Sequence, residues 1–192
     1  MSEKIVSKKI CIYLADLVHN YTPGNYVVPL NVASIANYLI KLFGHRVEIH
    51  LFKYPEELIR SIEEKQPDLL GLSNYFWNNE LNIAIGREIH KKFPEIFVVM
   101  GGPSIRIDTE GIKAFLKQRP FLDLQILFEG EQPFCDLVHK FIQNNGITTS
   151  PDFKKIKGCA SLSSQGELIF SPPQRRFWKT YQFCHPRIWM AY

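Results

Sequence analysis

The chain has 192 residues, 45% hydrophobic and 22% charged, the balance of an ordinary globular protein with ample length for a sizeable core. Its net charge of +4 is mild and its basic residues are scattered, apart from Lys154-Lys155 and Arg175-Arg176, so neither nucleic acid nor a membrane surface is an expected partner. No apolar run approaches the roughly 18 residues that span a bilayer. The polar start, Met1 to Lys9, has no signal-peptide core. Cys11, Cys135, Cys159 and Cys184 are too far apart for a Cys-x-x-Cys site, and a reduced cytoplasmic protein is the expectation.

Lys9 to Leu14 reads as a first strand, followed by a polar, turn-rich loop from Asp16 to Asn25. Pro29 then sits where a first helical turn tolerates it, and Val32, Ile35, Ala36, Leu39, Leu42 and Phe43 recur at helical spacing up to Gly44. Arg46 to Phe52 alternates, as a strand at a sheet edge does. Pro55 to Lys65 predicts a second helix, and Asp68 to Ser73 a central, almost wholly apolar strand. Asn78 or Asn79 can cap a third helix running to Phe93.

Ile96 to Met100 is a short apolar, β-branched run that stops on Gly101-Gly102-Pro103-Ser104, which reads as a buried parallel strand with a bare carboxyl end. Asp108 can cap a short fourth helix through Leu116. Leu124 to Phe128 predicts a fifth strand and Phe134 to Phe141 the body of a fifth helix. Strand and helix thus alternate five times. That predicts an α/β, flavodoxin-like (Rossmann-like) doubly wound five-stranded parallel sheet of order 2-1-3-4-5, with its switch point between the first and third strands. From Ile147 the pattern changes to a C-terminal β-hairpin, Lys157 to Leu162 and Glu167 to Phe170, then an irregular aromatic tail.

On this topology four loops converge at the carboxyl ends of the strands, where open α/β sheets bind ligands: 16–25, 73–79, 101–106 and 129–133. Ser73 sits at the rim either as a ligand contact or as a cap. Trp77 is either a floor for a ring system or packing. Glu129 and Glu131 flank Gly130 as helix-start charges or as an acid/base pair. Asp16 with His19 is a possible oriented metal ligand or a structural pair. There is no Gly-x-x-x-x-Gly-Lys, no Gly-x-Ser-x-Gly and no complete Gly-x-Gly-x-x-Gly.

These residues together resemble the N-terminal cobalamin (vitamin B12)-binding domain of cobalamin-dependent radical S-adenosylmethionine (SAM) proteins. Four pieces match in order: Pro29 with its helix into Gly44-His45-Arg-Val47; Lys65-Gln-Pro-Asp-Leu-Leu-Gly-Leu-Ser73 with Trp77-Asn78; Met100-Gly-Gly-Pro103; and Glu129-Gly-Glu131-x-Pro-Phe134. The hairpin also has a counterpart there, so the likeness spans roughly residues 9 to 173.

The resemblance implies a corrin lying across the strand ends with its nucleotide tail between sheet and helices. Ser73, Gly101 and Gly102 would line the tail, and the loop after the first strand would face the lower side of cobalt. The cofactor-binding set it implies is Ser73, Asn74, Trp77, Asn78, Gly101, Gly102, Pro103, Glu129, Gly130 and Glu131, with no catalytic residue and no metal ligand. Family members that ligate cobalt use Asp-x-His-x-x-Gly. Here Asp16-Leu-Val-His19 is one residue too long, so base-off cobalamin without a histidine ligand is implied.

No Cys-x-x-x-Cys-x-x-Cys is present. An iron–sulfur cluster and SAM are therefore expected only in a downstream radical SAM domain, in cis or in trans. Residues 1–146 would be the cobalamin-binding domain, and residues 147–192 a hairpin and linker leading to that absent domain. Such a chain would not catalyse alone; the resemblance implies the cofactor-binding part of a radical SAM enzyme, methyltransferase-like or of another radical-linked kind. A degenerate docking scaffold, or a flavin or nucleotide binder, are the competing readings.

Overall fold

The computed structural model describes residues 9–19, 28–104, 106, 108–146, 148 and 153–172; the rest of the first loop (20–27) and the aromatic tail from 173 lie outside the described residues. Five strands, β1 (Ile10–Ala15), β2 (Val47–Phe52), β3 (Leu69–Ser73), β4 (Phe97–Gly101) and β5 (Leu124–Ile126), pair in parallel in the order β2-β1-β3-β4-β5. This is the predicted flavodoxin-like order. β1 and β3 are buried along their whole length, as their apolar runs demand, whereas β2 is buried only at its two ends and forms the edge.

The helices are α1 (Leu30–Phe43), α2 (Pro55–Glu64), α3 (Asn79–Lys92), α4 (Thr109–Lys117) and α5 (Glu131–Gln143). In α1 the stripe Val32, Ala36 and Leu39 is buried, and Gly44, at φ 53°, ends the helix by donating its N–H to the carbonyl of Ile40. Pro55 opens α2 with Glu56 and Glu57 in its first turn. The Asp108 carboxylate accepts from the Gly111 N–H at 2.6 Å and caps α4.

Two cores result, one on each face of the sheet. Ile12, Leu14, Leu69, Val99 and Ile126 pack against α1 and α5, with Phe134, Leu137 and Phe141 contributed by α5. Tyr13, Leu70, Leu72, Val98 and Met100 pack against α2, α3 and α4. The chain therefore winds to both sides of β1 and β3, and the two adjacent strands diverge at their carboxyl ends into different crossovers.

The structure corrects three sequence expectations. The hairpin, β6 (Cys159–Leu162) and β7 (Leu168–Ser171), does not stand apart: β6 pairs antiparallel with β5, so the sheet has seven strands rather than five. Phe153 and Ile156, which precede it, are buried in the α1/α5 core. The fifth strand ends at Ile126 instead of Phe128, because its next partner on β4 would be Gly102, whose φ of 125° takes that chain out of extended geometry. Asn78 occupies the cap position of α3 but makes no capping bond, since its side chain turns inward.

Candidate functional site

A cavity of about 500 Å³ opens at the carboxyl ends of β1, β3, β4 and β5 and runs beneath the first turns of α1 and α5. Its interior is apolar, with Leu14, Val32, Val99, Ile126 and Phe134 among its walls, and its mouth carries Asn31, Ser73, Tyr75 and Glu131. Glycines in the lining let its walls pack closely. A Cβ on Gly71 would lie 2.7 Å from Cδ2 of Leu14 and 3.0 Å from Cε2 of Phe134. A Cβ on Gly130 would lie 2.7 Å from Cδ1 of Ile35. The two helices are tied together at this end: Ser34 Oγ donates to Glu131 Oε1 at 2.8 Å and the Tyr38 hydroxyl to Gln132 Oε1 at 2.9 Å.

Of the ten residues singled out from the sequence, six line this cavity: Ser73, Gly101, Gly102, Pro103, Gly130 and Glu131. Ser73 ends β3, and its hydroxyl accepts from Nδ2 of Asn31, which also reaches the Tyr75 hydroxyl at 3.2 Å. Glu131 sits in the first turn of α5, where its charge suits the helix start.

Asn74, Asn78, Trp77 and Glu129 are not among the residues lining it. Asn74 is buried and knits two loops together: its backbone N–H donates to Gly101 O at 2.6 Å and its side chain to Ser104 O at 3.2 Å. Asn78 is fully buried; its Nδ2 donates to Leu17 O and Ser73 O, each at 3.1 Å, while its Oδ1 accepts from Tyr75 N at 2.8 Å. Asn82, one turn on, donates to the same Ser73 carbonyl at 2.9 Å. These asparagines satisfy the backbone of the β3–α3 loop where sheet hydrogen bonding has ended. Trp77 is 49% exposed and stacks on Tyr75 with 4.3 Å between ring centroids, while Phe76 is 83% exposed.

Asp16 and His19 do not act as a pair. Burial pushes the Asp16 carboxyl above its ordinary range, and hydrogen bonds from Asn31 and Ser73 hold it partly back. His19 Nε2 donates to the carbonyl of Trp77 at 3.2 Å. Burial also raises the Cys135 thiol to about 11 and the Cys159 thiol further, so neither is a thiolate at neutral pH.

Sequence reasoning missed Asn31, Tyr75 and Gly71 as cavity residues, and had Phe134 in the helix core and in the Glu129–Phe134 motif without placing it in the site. Asn31 carried a signal, a polar residue in the first turn of α1 on the side of the converging loops. Gly71 carried another, a lone glycine inside a buried strand, which marks a close approach.

Residues 18–138 match the B12-binding domain family. The cobalamin-dependent radical SAM methyltransferase TokK of Streptomyces tokunonensis is 27% identical over 130 residues, 65% of this chain and 18% of TokK. The 2-(S-pantetheinyl)-carbapenam-3-carboxylate methyltransferase of Streptantibioticus cattleyicolor is 29% identical over the same share of this chain and of its own length. The match thus spans less than a fifth of either relative. The solved structure of the cobalamin-dependent SAM radical enzyme OxsB with aqua-cobalamin and S-adenosylmethionine shares the fold, with a TM-score of 0.66 at 19% identity over 88% of this chain and 23% of OxsB. With a match across most of its helices and strands, this chain belongs to the B12-binding domain family.

Proposed function

We propose that this chain is a cobalamin-binding module that presents the corrin at the carboxyl ends of β1, β3, β4 and β5 and receives the nucleotide tail in the cavity beneath α1 and α5. The observation that carries this reading is the glycine-floored cavity of about 500 Å³, opening at the strand ends of a B12-binding domain. The residues fit the group: an apolar interior suits a buried heterocyclic base, and the polar mouth suits the sugar and phosphate that follow it. Ser73, Asn31 and Tyr75 would hold the tail at the mouth, and Gly101 and Gly130 would let it pass between strand and helix. When bound, cobalamin supplies a cobalt centre able to carry a methyl group. The donation of His19 Nε2 to Trp77 favours a base-off cofactor without a histidine ligand.

Around the mouth, Val28, Leu30, Phe76 and Phe128 are largely exposed. Such a collar favours a covering partner over open water, and in this reading the partner is a radical SAM domain in cis or in trans, reached through the segment that follows α5. That domain would hold the iron–sulfur cluster and SAM, and methyl transfer would belong to the assembly. No described helix is long and apolar enough to cross a membrane, and Cys11, Cys135 and Cys159 stand in no disulfide, which suits the reducing cytoplasm.

Ile35 offers a test, because its half-buried side chain faces the cavity from α1 without a special backbone conformation. Ile35→Trp should fill the space, leave the circular dichroism unchanged and reduce cobalamin retained after desalting at least about tenfold, the scale of a misplaced well-packed contact. Undiminished retention by a folded Ile35→Trp protein would remove the cavity from the binding site.

A further inference from the structure

A second cluster of ligating side chains lies at the opposite end of the sheet from the cobalamin cavity and on its other face. Parallel pairing sets Cys11 beside Glu48 and Tyr13 beside His50, so the two-residue strand period puts Cys11, Glu48 and His50 on one face of the β1–β2 edge. One ligand atom from each, the Cys11 sulfur, a Glu48 carboxylate oxygen and a His50 ring nitrogen, all lie within 4.8 Å of one another. Cys11 is buried, Glu48 half-buried and His50 exposed, so the triad runs from the core out to the solvent.

We propose that Cys11, Glu48 and His50 form a binding site for a single borderline-soft divalent cation of the Zn²⁺ class, with solvent completing its coordination. Thiolate, imidazole and carboxylate together are a donor set of that class, which hard ions such as Mg²⁺ and Ca²⁺ do not favour. Zinc bonds of about 2.0–2.3 Å set tetrahedral ligand atoms about 3.3–3.8 Å apart. The widest separation in the triad therefore needs to close by at most about 1 Å, and the 2.9 Å His50–Glu48 pair to open by a few tenths of an ångström.

His50 Nε2 already stands 2.9 Å from Glu48 Oε1, and its ring is held edge-on against Tyr13 with 5.3 Å between centroids. Lys65, at the end of α2, places its ammonium 2.7 Å from the same Glu48 oxygen. A cation is thus already drawn to this carboxylate. Lys65 is more than half exposed, so it can swing into water at little cost when a metal takes its place. Binding releases the Cys11 proton to solvent and leaves the charge on sulfur to the metal. The ion would clamp the edge strand β2 to β1, independently of whether cobalamin binds.

The test is a titration of the cobalamin-free full chain with Co²⁺, the spectroscopic stand-in for Zn²⁺. The expected result is saturation at one equivalent with a sulfur-to-cobalt charge-transfer band in the near ultraviolet, displaced by Zn²⁺. Cys11→Ser should abolish that band, while Cys184→Ser should retain it. His50→Ala should weaken binding at least about tenfold. Because His50 is on the surface, this variant tests the site even where Cys11→Ser fails to fold. Lys65→Met, which removes the competing cation, should tighten binding. A wild-type chain with no charge-transfer band, a band that survives Cys11→Ser, or unchanged affinity in both His50→Ala and Lys65→Met would overturn the proposal.

Discussion

Gly102 holds the rim of the cavity by its backbone. Its φ is 125°, and a Cβ there would lie 2.5 Å from the carbonyl oxygen of Asn74 and 2.9 Å from its nitrogen. Gly102→Ala should therefore cost about 1–3 kcal/mol in urea unfolding, the range for strained backbone at a functional loop. Loss of cobalamin in that variant would report a displaced loop rather than a lost contact, which is why Ile35 makes the cleaner probe. Asp16 gives a pH dependence with a definite sign. Its folded pKa is raised above that of the unfolded chain, so between those two values the folded state holds more protons and stability falls as pH rises through the window. Asp16→Asn should flatten that stretch of the stability curve above about pH 4 when urea midpoints are compared. The rim glycines and Ser73 were legible in the sequence because each ends an apolar run. The inward roles of Asn74 and Asn78 were not, because they depend on Ser104 and Leu17, groups that only the folded chain brings to them.

At the scale of elements, periodicity carried nearly everything. The alternation of β2, the apolar runs of β1, β3 and β4, and the glycine, proline and aspartate marks at the ends of α1, α2 and α4 each find their place. What periodicity does not encode is a partner. The hairpin was readable from its own residues, but its antiparallel pairing with β5 is a long-range choice. That pairing has an energetic consequence. Phe153 is 1% exposed and packs edge-on against Phe97 with ring centroids 5.3 Å apart, in the core shared with α5. Phe153→Ala should therefore lower stability by about 3–5 kcal/mol, as large-to-small changes in a sealed core do. A protein cut after residue 146 would lose this packing and expose the edge of β5, and it should aggregate more than the full chain does when the two are compared by light scattering.

The whole molecule is a doubly wound sheet whose carboxyl edge opens into a glycine-lined space under two helices that are bridged to each other. The fold class and the strand order across the parallel part follow from sequence pattern, and the family follows from motifs in four separate segments of the chain. The cavity itself is a property of the assembled layers, since Leu14, Gly71 and Phe134 come from three separate elements. In the proposed account this space holds the cofactor tail, the strand ends carry the corrin and the exposed collar meets a radical SAM domain. The most direct test is to titrate the purified chain with hydroxocobalamin, desalt it and record the visible spectrum. The account predicts one equivalent retained, with a base-off spectrum that is unchanged in His19→Ala. A chain that retains no cobalamin at saturating concentration, or one whose spectrum depends on His19, would contradict it.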